Sequence, residues 1–413
     1  MTYAEHSELR QHWRLLASAS IGVMFSVLVL PYYTLGTLVV PVTEAMGWTR
    51  AQFQAAIFFS ASLGALTAPL VGWLADRYGA RRLALPAMVG LAAGFFLAAT
   101  VDGELWVLYS AYAVMAVFGA GTIPVTWTKA ITDTFEARRG LALGLALSGT
   151  GVCGVLMPQY ATYLVENYGW RQAYVGIGLA PLLLGLPLVY WGFRPQRRSD
   201  PSPQVQTPSS AHHGLTLASA ARTRQFWVLL GSVFLVYMAA SGIGPNLYPA
   251  ITDAGLSAAH AASALSAFGG AVVAGRLLVG YLVDKFWAPG VAALTMTLPV
   301  VGCWLLIDPQ SYAASLSAAI LIGLAAGAEL DLMSYLVARY FGAQNYATIY
   351  SVMYMALAVC SGGAPILFAA VYDRFLSYDL SFSIALILFA LGGLLMLCMG
   401  RYPGDSTLRS EGS

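Results

Sequence analysis

Charge is scarce in this sequence. Only 10% of its 413 residues are Asp, Glu, Lys or Arg, and 58% are apolar, where a soluble protein carries roughly 25% charged residues. A soluble surface cannot be built from so few charges, which excludes a cytosolic or secreted domain and a disordered chain. The four cysteines, Cys153, Cys303, Cys360 and Cys398, lie in apolar runs without metal-ligand spacing and read as small core residues. His212 and His213 have no further ligands nearby, so no metal site is expected. Enzyme signatures are missing as well. No apolar segment carries G-x-S-x-G, H-E-x-x-H or the paired aspartates of a membrane protease, and Tyr372-Asp373 has no Gly-x-Gly-Asp partner. Neither an enzyme nor a cofactor is expected, and nothing points to nucleic acid. Lysine is limited to Lys129 and Lys285 against nineteen arginines, which with abundant alanine suits a GC-rich bacterial genome and the bacterial inner membrane.

What fills the chain is apolar sequence. Twelve segments recur at 14–42, 52–75, 83–101, 105–132, 139–165, 172–193, 224–251, 258–283, 289–307, 312–338, 345–371 and 380–400. A bilayer-spanning helix needs about 20 apolar residues; a β-barrel strand would alternate polar and apolar, and Ile320–Ala328 does not. The reading is an all-α membrane protein of 12 transmembrane helices. The first segment is too long for a cleavable signal and is read as a span.

Basic residues set the orientation. With the N-terminus inside, sixteen fall on the cytoplasmic side and only Arg50, Arg171 and Arg374 on the other. Both termini are therefore expected in the cytoplasm. The Pro-, Ser- and Gln-rich stretch 195–222 reads as a cytoplasmic linker. It separates a six-helix bundle at 1–194 from another at 223–402, with a tail at 403–413 too short for a signalling domain.

The two halves repeat one another. Gly72-Trp-Leu-Ala-Asp76-Arg77 recurs 208 residues later as Gly280-Tyr-Leu-Val-Asp284-Lys285, and Pro41 as Pro249 at the same interval. Gly121 and Phe135 recur as Gly327 and Phe341. Two parallel repeats are a transporter signature, with the site between halves that rock against each other. Pro41 and Pro249 are expected to end the first and seventh helices.

The stretch Gly72-x3-Asp76-Arg77-x-Gly79-x-Arg81-Arg82 resembles the loop motif of the major facilitator superfamily. The resemblance covers the chain and implies a major facilitator fold in two pseudo-symmetric six-helix halves. It also implies a cytoplasmic gate formed by Gly72, Asp76, Arg77, Gly79, Arg81, Arg82, Asp284 and Lys285. A narrower resemblance joins Phe135-Glu-Ala-Arg138-Arg139-Gly-Leu141-Ala142-Leu-Gly144-Leu-Ala146-Leu-Ser148-Gly149 to the monocarboxylate transporter-like and oxalate-formate antiporter-like group. Ala137 stands where that pattern has a basic residue, and its last glycine falls one position late, at Gly154.

Charges inside the segments are few, and each costs roughly 2.5–3.5 kcal/mol at the bilayer centre. They are Lys129, Arg276, Glu329 and Asp331. Lys129 lies near the cytoplasmic end, where its long stem is expected to carry the charge toward the headgroups. Arg276 lies about 12 Å from its helix end and Glu329 about 15 Å from its own, so the two are able to meet. A guanidinium binds a carboxylate bidentately. Arg276 also matches the eighth-helix arginine that engages the substrate carboxylate in the monocarboxylate group. The alternative is a structural salt bridge with Glu329 or Asp331. That group's aspartate one turn earlier is Val272 here, and its first-helix lysine is replaced by Tyr32, Tyr33, Thr34 and Thr37. Proton coupling is therefore assigned to Glu329 or Asp331, about 200° apart around the helix, so that at most one faces the cavity.

Tyr32, Tyr33, Trp127, Tyr237, Asn246, Tyr248 and Tyr335 are the candidate cavity residues; Trp106, Trp170 and Tyr168 read as interface residues. The expected function is proton-coupled symport of a small organic anion, a monocarboxylate, by a functional monomer in the bilayer. A proton-coupled exporter of a larger amphipathic metabolite is the alternative. Its fifth-helix Gly-Pro motif is matched poorly, since Pro158 follows Met157.

Overall fold

A computed structural model of the chain describes residues 9–132, 134–135, 139–193, 214–307, 311–342 and 345–402. His212, His213, Arg138 and the tail lie outside the described residues. Apolar sequence in lipid must satisfy its own backbone groups, and helices do so throughout.

In chain order the first half holds α1a (Trp13–Met24), α1b (Leu30–Met46), α2 (Arg50–Tyr78), α3 (Ala80–Ala99), α4a (Leu105–Phe118), α4b (Pro124–Thr132), α5a (Arg139–Leu147), α5b (Gly149–Tyr168) and α6. Helix α6 runs over Trp170–Ala180 and Leu186–Gly192, joined by a wide turn at Pro181–Gly185. A short helix, Leu217–Ala221, leads into the second half. There follow α7 (Arg224–Asp253), α8 (Ala258–Lys285), α9 (Ala288–Leu306), α10 (Tyr312–Phe341), α11 (Tyr346–Phe375) and α12 (Asp379–Leu397). Among the described residues, nine helices are long and apolar enough to cross a membrane. Helix α2, at 29 residues, equals them in length; α5a and α5b abut at Ser148 and run on as one span, whereas the first and fourth segments are each split in two by a gap of several residues.

Those splits depart from the continuous segments expected. Their cause is proline. Pro31 stands in the first turn of α1b and Pro124 opens α4b; a proline lacks the N–H and clashes with the carbonyl four residues back, so a helix restarts at it more readily than it runs through. The two breaks support each other. The Val27 N–H donates to the Thr122 hydroxyl at 2.9 Å, and that hydroxyl donates to the Gly119 carbonyl at 2.7 Å. Pro41 and Pro249 do not end their helices, which continue to Met46 and Asp253.

Helix starts follow ordinary capping. Thr49 and Gln52 form a reciprocal capping box on α2. Thr223, Ser257 and Ser311 cap α7, α8 and α10.

The halves touch through backbone where glycine removes the side chain. A Cβ on Gly154 of α5b would lie 2.8 Å from the Gly269 Cα of α8, and one on Gly36 of α1b would lie 2.9 Å from the Pro245 carbonyl oxygen of α7. Among the described residues, the hydrogen bonds between halves run from mid-membrane to the end that carries Arg50. They include Ser266 Oγ to the Val155 carbonyl at 2.6 Å, Gln54 Nε2 to Asn246 Oδ1 at 2.7 Å and Thr162 Oγ1 to Tyr248 at 3.2 Å. At the opposite end, a Cβ on Gly72, Gly144 or Gly280 would meet nothing within 4 Å. Among the described residues, the contacts between halves thus gather on the Arg50 side.

Candidate functional site

Helices α8 and α10 approach closely because small residues face each other. A Cβ on Gly323 would sit 2.5 Å from the Phe268 carbonyl oxygen, and one on Gly327 would strike the Val272 backbone. Val272 therefore packs in the position where the related group carries its aspartate. This contact fixes the register of the two helices and brings Arg276 beside Asp331, with Nε 3.2 Å from Oδ2. The Nε–H is not aligned with an acceptor, so the contact is an ion pair rather than a directed hydrogen bond. The Arg276 side chain is 21% exposed and that of Asp331 is 49% exposed. A vestibule of about 520 Å³ opens beside Asp331, lined also by Gly280, Ser334, Tyr335 and Tyr346 among others.

Glu329 points elsewhere. It is buried, and it lines a cavity of about 30 Å³ inside the second half with Ser232, Tyr237, Met296, Met333 and Met396. Its Oε1 makes no hydrogen bond among the described residues. The two acids of α10 thus serve different surroundings. Arg276 pairs with Asp331 and not with Glu329, because the α8 backbone lies on the Asp331 side of α10. No group of three or more His, Cys, Asp or Glu side chains suited to a metal occurs among the described residues.

The other candidates separate into four places. Tyr335 stands on the vestibule wall. Tyr32, Tyr33, Asn246 and Tyr248 belong to the seam between halves. Tyr32 packs its hydroxyl on Gly244, Tyr33 packs on Gly154 and Phe268, and Asn246 is fully buried on Gln54. Trp127 lines neither the vestibule nor the Glu329 cavity: it is fully buried in the first half against Gly22 and Phe193, and its Nε1–H donates to the Thr122 carbonyl at 2.8 Å. Its indole fills the space beside the α4 break. Tyr237 is half-buried next to Glu329.

Among the gate residues whose side chains are described, the contacts stay within one half. Arg77 lies over Trp73 and Tyr78, Arg81 lies 4.5 Å over the Tyr190 ring, and Lys285 donates to the Tyr281 hydroxyl. Gly79 takes a φ of 86° between α2 and α3, a conformation that favours glycine. Arg82 is exposed, and Asp76 and Asp284 fall in the last turns of α2 and α8.

Two features escaped the sequence reading. One is a tyrosine ladder on α11, Tyr346, Tyr350 and Tyr354, whose spacing of four was visible in the sequence as Y-x3-Y-x3-Y. The other is Arg50, counted only as a charge, which binds Asp253 and Tyr378 of the second half. No local pattern marks that pairing.

Comparison with known proteins agrees with this architecture. The sequence pattern of the Major Facilitator Superfamily matches residues 16–365 and 229–412. The chain is 25% identical to the MFS-type transporter YhjX of Escherichia coli (strain K12) over 73% of this chain and 74% of that one. It is 28% identical to Monocarboxylate transporter 11 of Homo sapiens over 64% of this chain and 57% of that one. Among solved structures, a bacterial homologue of the human lysosomal transporter Spinster, inward-facing and unoccupied, superposes with a TM-score of 0.66 at 17% identity, covering 94% of this chain and 93% of that one. These relatives are transporters rather than enzymes. With nine membrane-length apolar helices among the described residues and a family match along its length, the chain is a multi-pass membrane protein that belongs to the major facilitator superfamily.

Proposed function

We propose that this protein carries a small organic anion, a monocarboxylate, together with a proton, by alternating access in a bacterial inner membrane with both termini in the cytoplasm. The observation that carries the reading is Arg276, an arginine deep in α8 whose ion-pair partner, the half-exposed Asp331, lines an open vestibule. A substrate carboxylate would take the guanidinium in place of Asp331. Protonation of Asp331 would release Arg276 at the same moment, which couples the two ligands. Glu329, two residues away and without a hydrogen bond at Oε1, is the second candidate for the proton. The resemblance to Monocarboxylate transporter 11 supports the anion. The residues of the loop motif would close the vestibule when the halves rock.

The test is uptake of a labelled carboxylate panel into proteoliposomes, with and without an inward proton gradient, comparing the parent with Arg276→Gln. Gradient-driven uptake of an acid, reduced at least tenfold in the variant, is the expected result. Folded protein that moves no carboxylate under any gradient would favour the exporter and leave Arg276 as a structural partner of Asp331.

A further inference from the structure

The charged pair accounts for one end of a substrate and leaves the wall beside it unexplained. That wall is aromatic. Tyr346 and Tyr350 stack with centroids 5.5 Å apart and planes 21° apart, and Tyr350 and Tyr354 follow at 6.4 Å and 25°. Residues four apart share a helix face, so the three rings form a continuous ladder along α11. Tyr346 lines the same vestibule as Asp331 and Tyr335, and Tyr350 lies within electrostatic reach of Asp331. Tyr350 and Tyr354 both lie within the same reach of Tyr237. The far end of the ladder is open, since Tyr354 is 40% exposed. Ile349, Met353 and Cys360 fill the buried side of α11, and Tyr346 and Tyr350 flank it, packed in part against the same core.

Resting on the anion reading above, we propose that the substrate is an aromatic monocarboxylate: its carboxylate is held at Arg276 and its ring extends the Tyr346–Tyr350–Tyr354 stack. Offset stacking of a flat ring on a tyrosine face uses the ring quadrupoles and adds to simple apolar burial. A saturated ring of the same size buries equal or greater apolar area without that term. The ladder is therefore a specificity element, and the arginine is the affinity element.

The experiment uses the full chain in proteoliposomes, with labelled 3-phenylpropionate as probe and unlabelled 3-phenylpropionate, 3-cyclohexylpropionate and propionate as competitors. The flat-ring acid is expected to compete roughly five- to tenfold better than its saturated twin. Tyr350→Leu and Tyr354→Leu are expected to lower that preference below about twofold, while Tyr350→Phe, which keeps the stacking face, preserves it. The second leucine variant, at a half-exposed site, covers the case in which the first fails to fold. Equal competition by the two ring acids, or stronger competition by propionate, overturns the aromatic assignment and leaves the anion carrier standing. Absence of transport and competition for every carboxylate overturns both together.

Discussion

Arg50 reaches from the first half of the molecule to grip Asp253 in the second, with Nη1 2.5 Å from Oδ2 and Nη2 2.9 Å from Oδ1. The same arginine donates to the Tyr378 hydroxyl at 3.0 Å and lies 3.8 Å over the Tyr372 ring. Its own backbone N–H and that of Ala51 donate to the two carboxylate oxygens of Asp373 at 3.0 and 2.9 Å. The positive end of α2 is thus held by an acid from α11 while its first side chain is held by an acid from α7. All of these acceptors belong to the second half, so opening on this side has to break them together.

Arg50→Gln should therefore free the seam on the Arg50 side. Removing one partner of a fully buried pair costs about 3–5 kcal/mol; here the Asp253 side chain is 27% exposed, which brings the expectation to about 1–3 kcal/mol after solvent screening. The measurement is labelling of Thr162→Cys, a buried position bonded to Tyr248, by a membrane-impermeant maleimide in a Cys398→Ser background. Labelling at least tenfold faster than with Arg50 present is expected. Unchanged labelling would remove Arg50 as a latch.

The close approach of Gly154 and Gly269 makes a second prediction. Gly154→Val places a Cβ 2.8 Å from the Gly269 Cα and 2.7 Å from the Tyr33 ring, and should cost about 1–3 kcal/mol as overpacking. Because the strain lies in the seam, transport should fall along with thermal stability. Gly363→Ala, where a Cβ meets nothing within 4 Å, should instead raise stability by about 0.5–1 kcal/mol. Thermal unfolding in detergent compares the two, and an equal response at both sites would contradict the packing account.

Thr122 supports two broken helices with one hydroxyl. Thr122→Val keeps the shape but leaves the buried Val27 N–H without its acceptor, at about 1–3 kcal/mol. Thr122→Ser retains the hydroxyl and should lose less than half as much. The same unfolding assay distinguishes them; similar losses would mean that the methyl, and not the hydrogen bond, matters.

Glu329 and Asp331 are separable by their surroundings. Glu329→Gln preserves volume in the 30 Å³ cavity. If Glu329 carries the coupled proton, the variant should exchange anion across the membrane at near the parent rate while losing acceleration by a proton gradient. Asp331→Asn removes the counter-charge of Arg276 and should tighten anion binding several-fold. Counterflow and gradient-driven uptake, run on both variants, read these effects apart. A Glu329→Gln protein with full gradient response moves the coupling role to Asp331.

The sequence alone determined the class of protein. Scarce charge and twelve apolar segments require helices in a bilayer, and the paired Gly–Asp motifs at 72–77 and 280–285 disclose the repeat of two halves. These are local or periodic signals, because helix formation and membrane insertion are decided within one segment at a time. Arg276 was legible for the same reason: one charge in an apolar run stands out wherever it folds. Tertiary structure decided what each of these residues meets. The pairing of Arg276 with Asp331 and not Glu329 depends on the register of α8 against α10, set by glycines that admit a neighbouring backbone. The burial of Trp127 depends on a break in α4 that docks on a break in α1. Arg50 and Asp253 lie 203 residues apart, and only the closing of one half on the other brings them together. A helix pattern repeats every few residues and carries no record of which face of which distant helix will cover it.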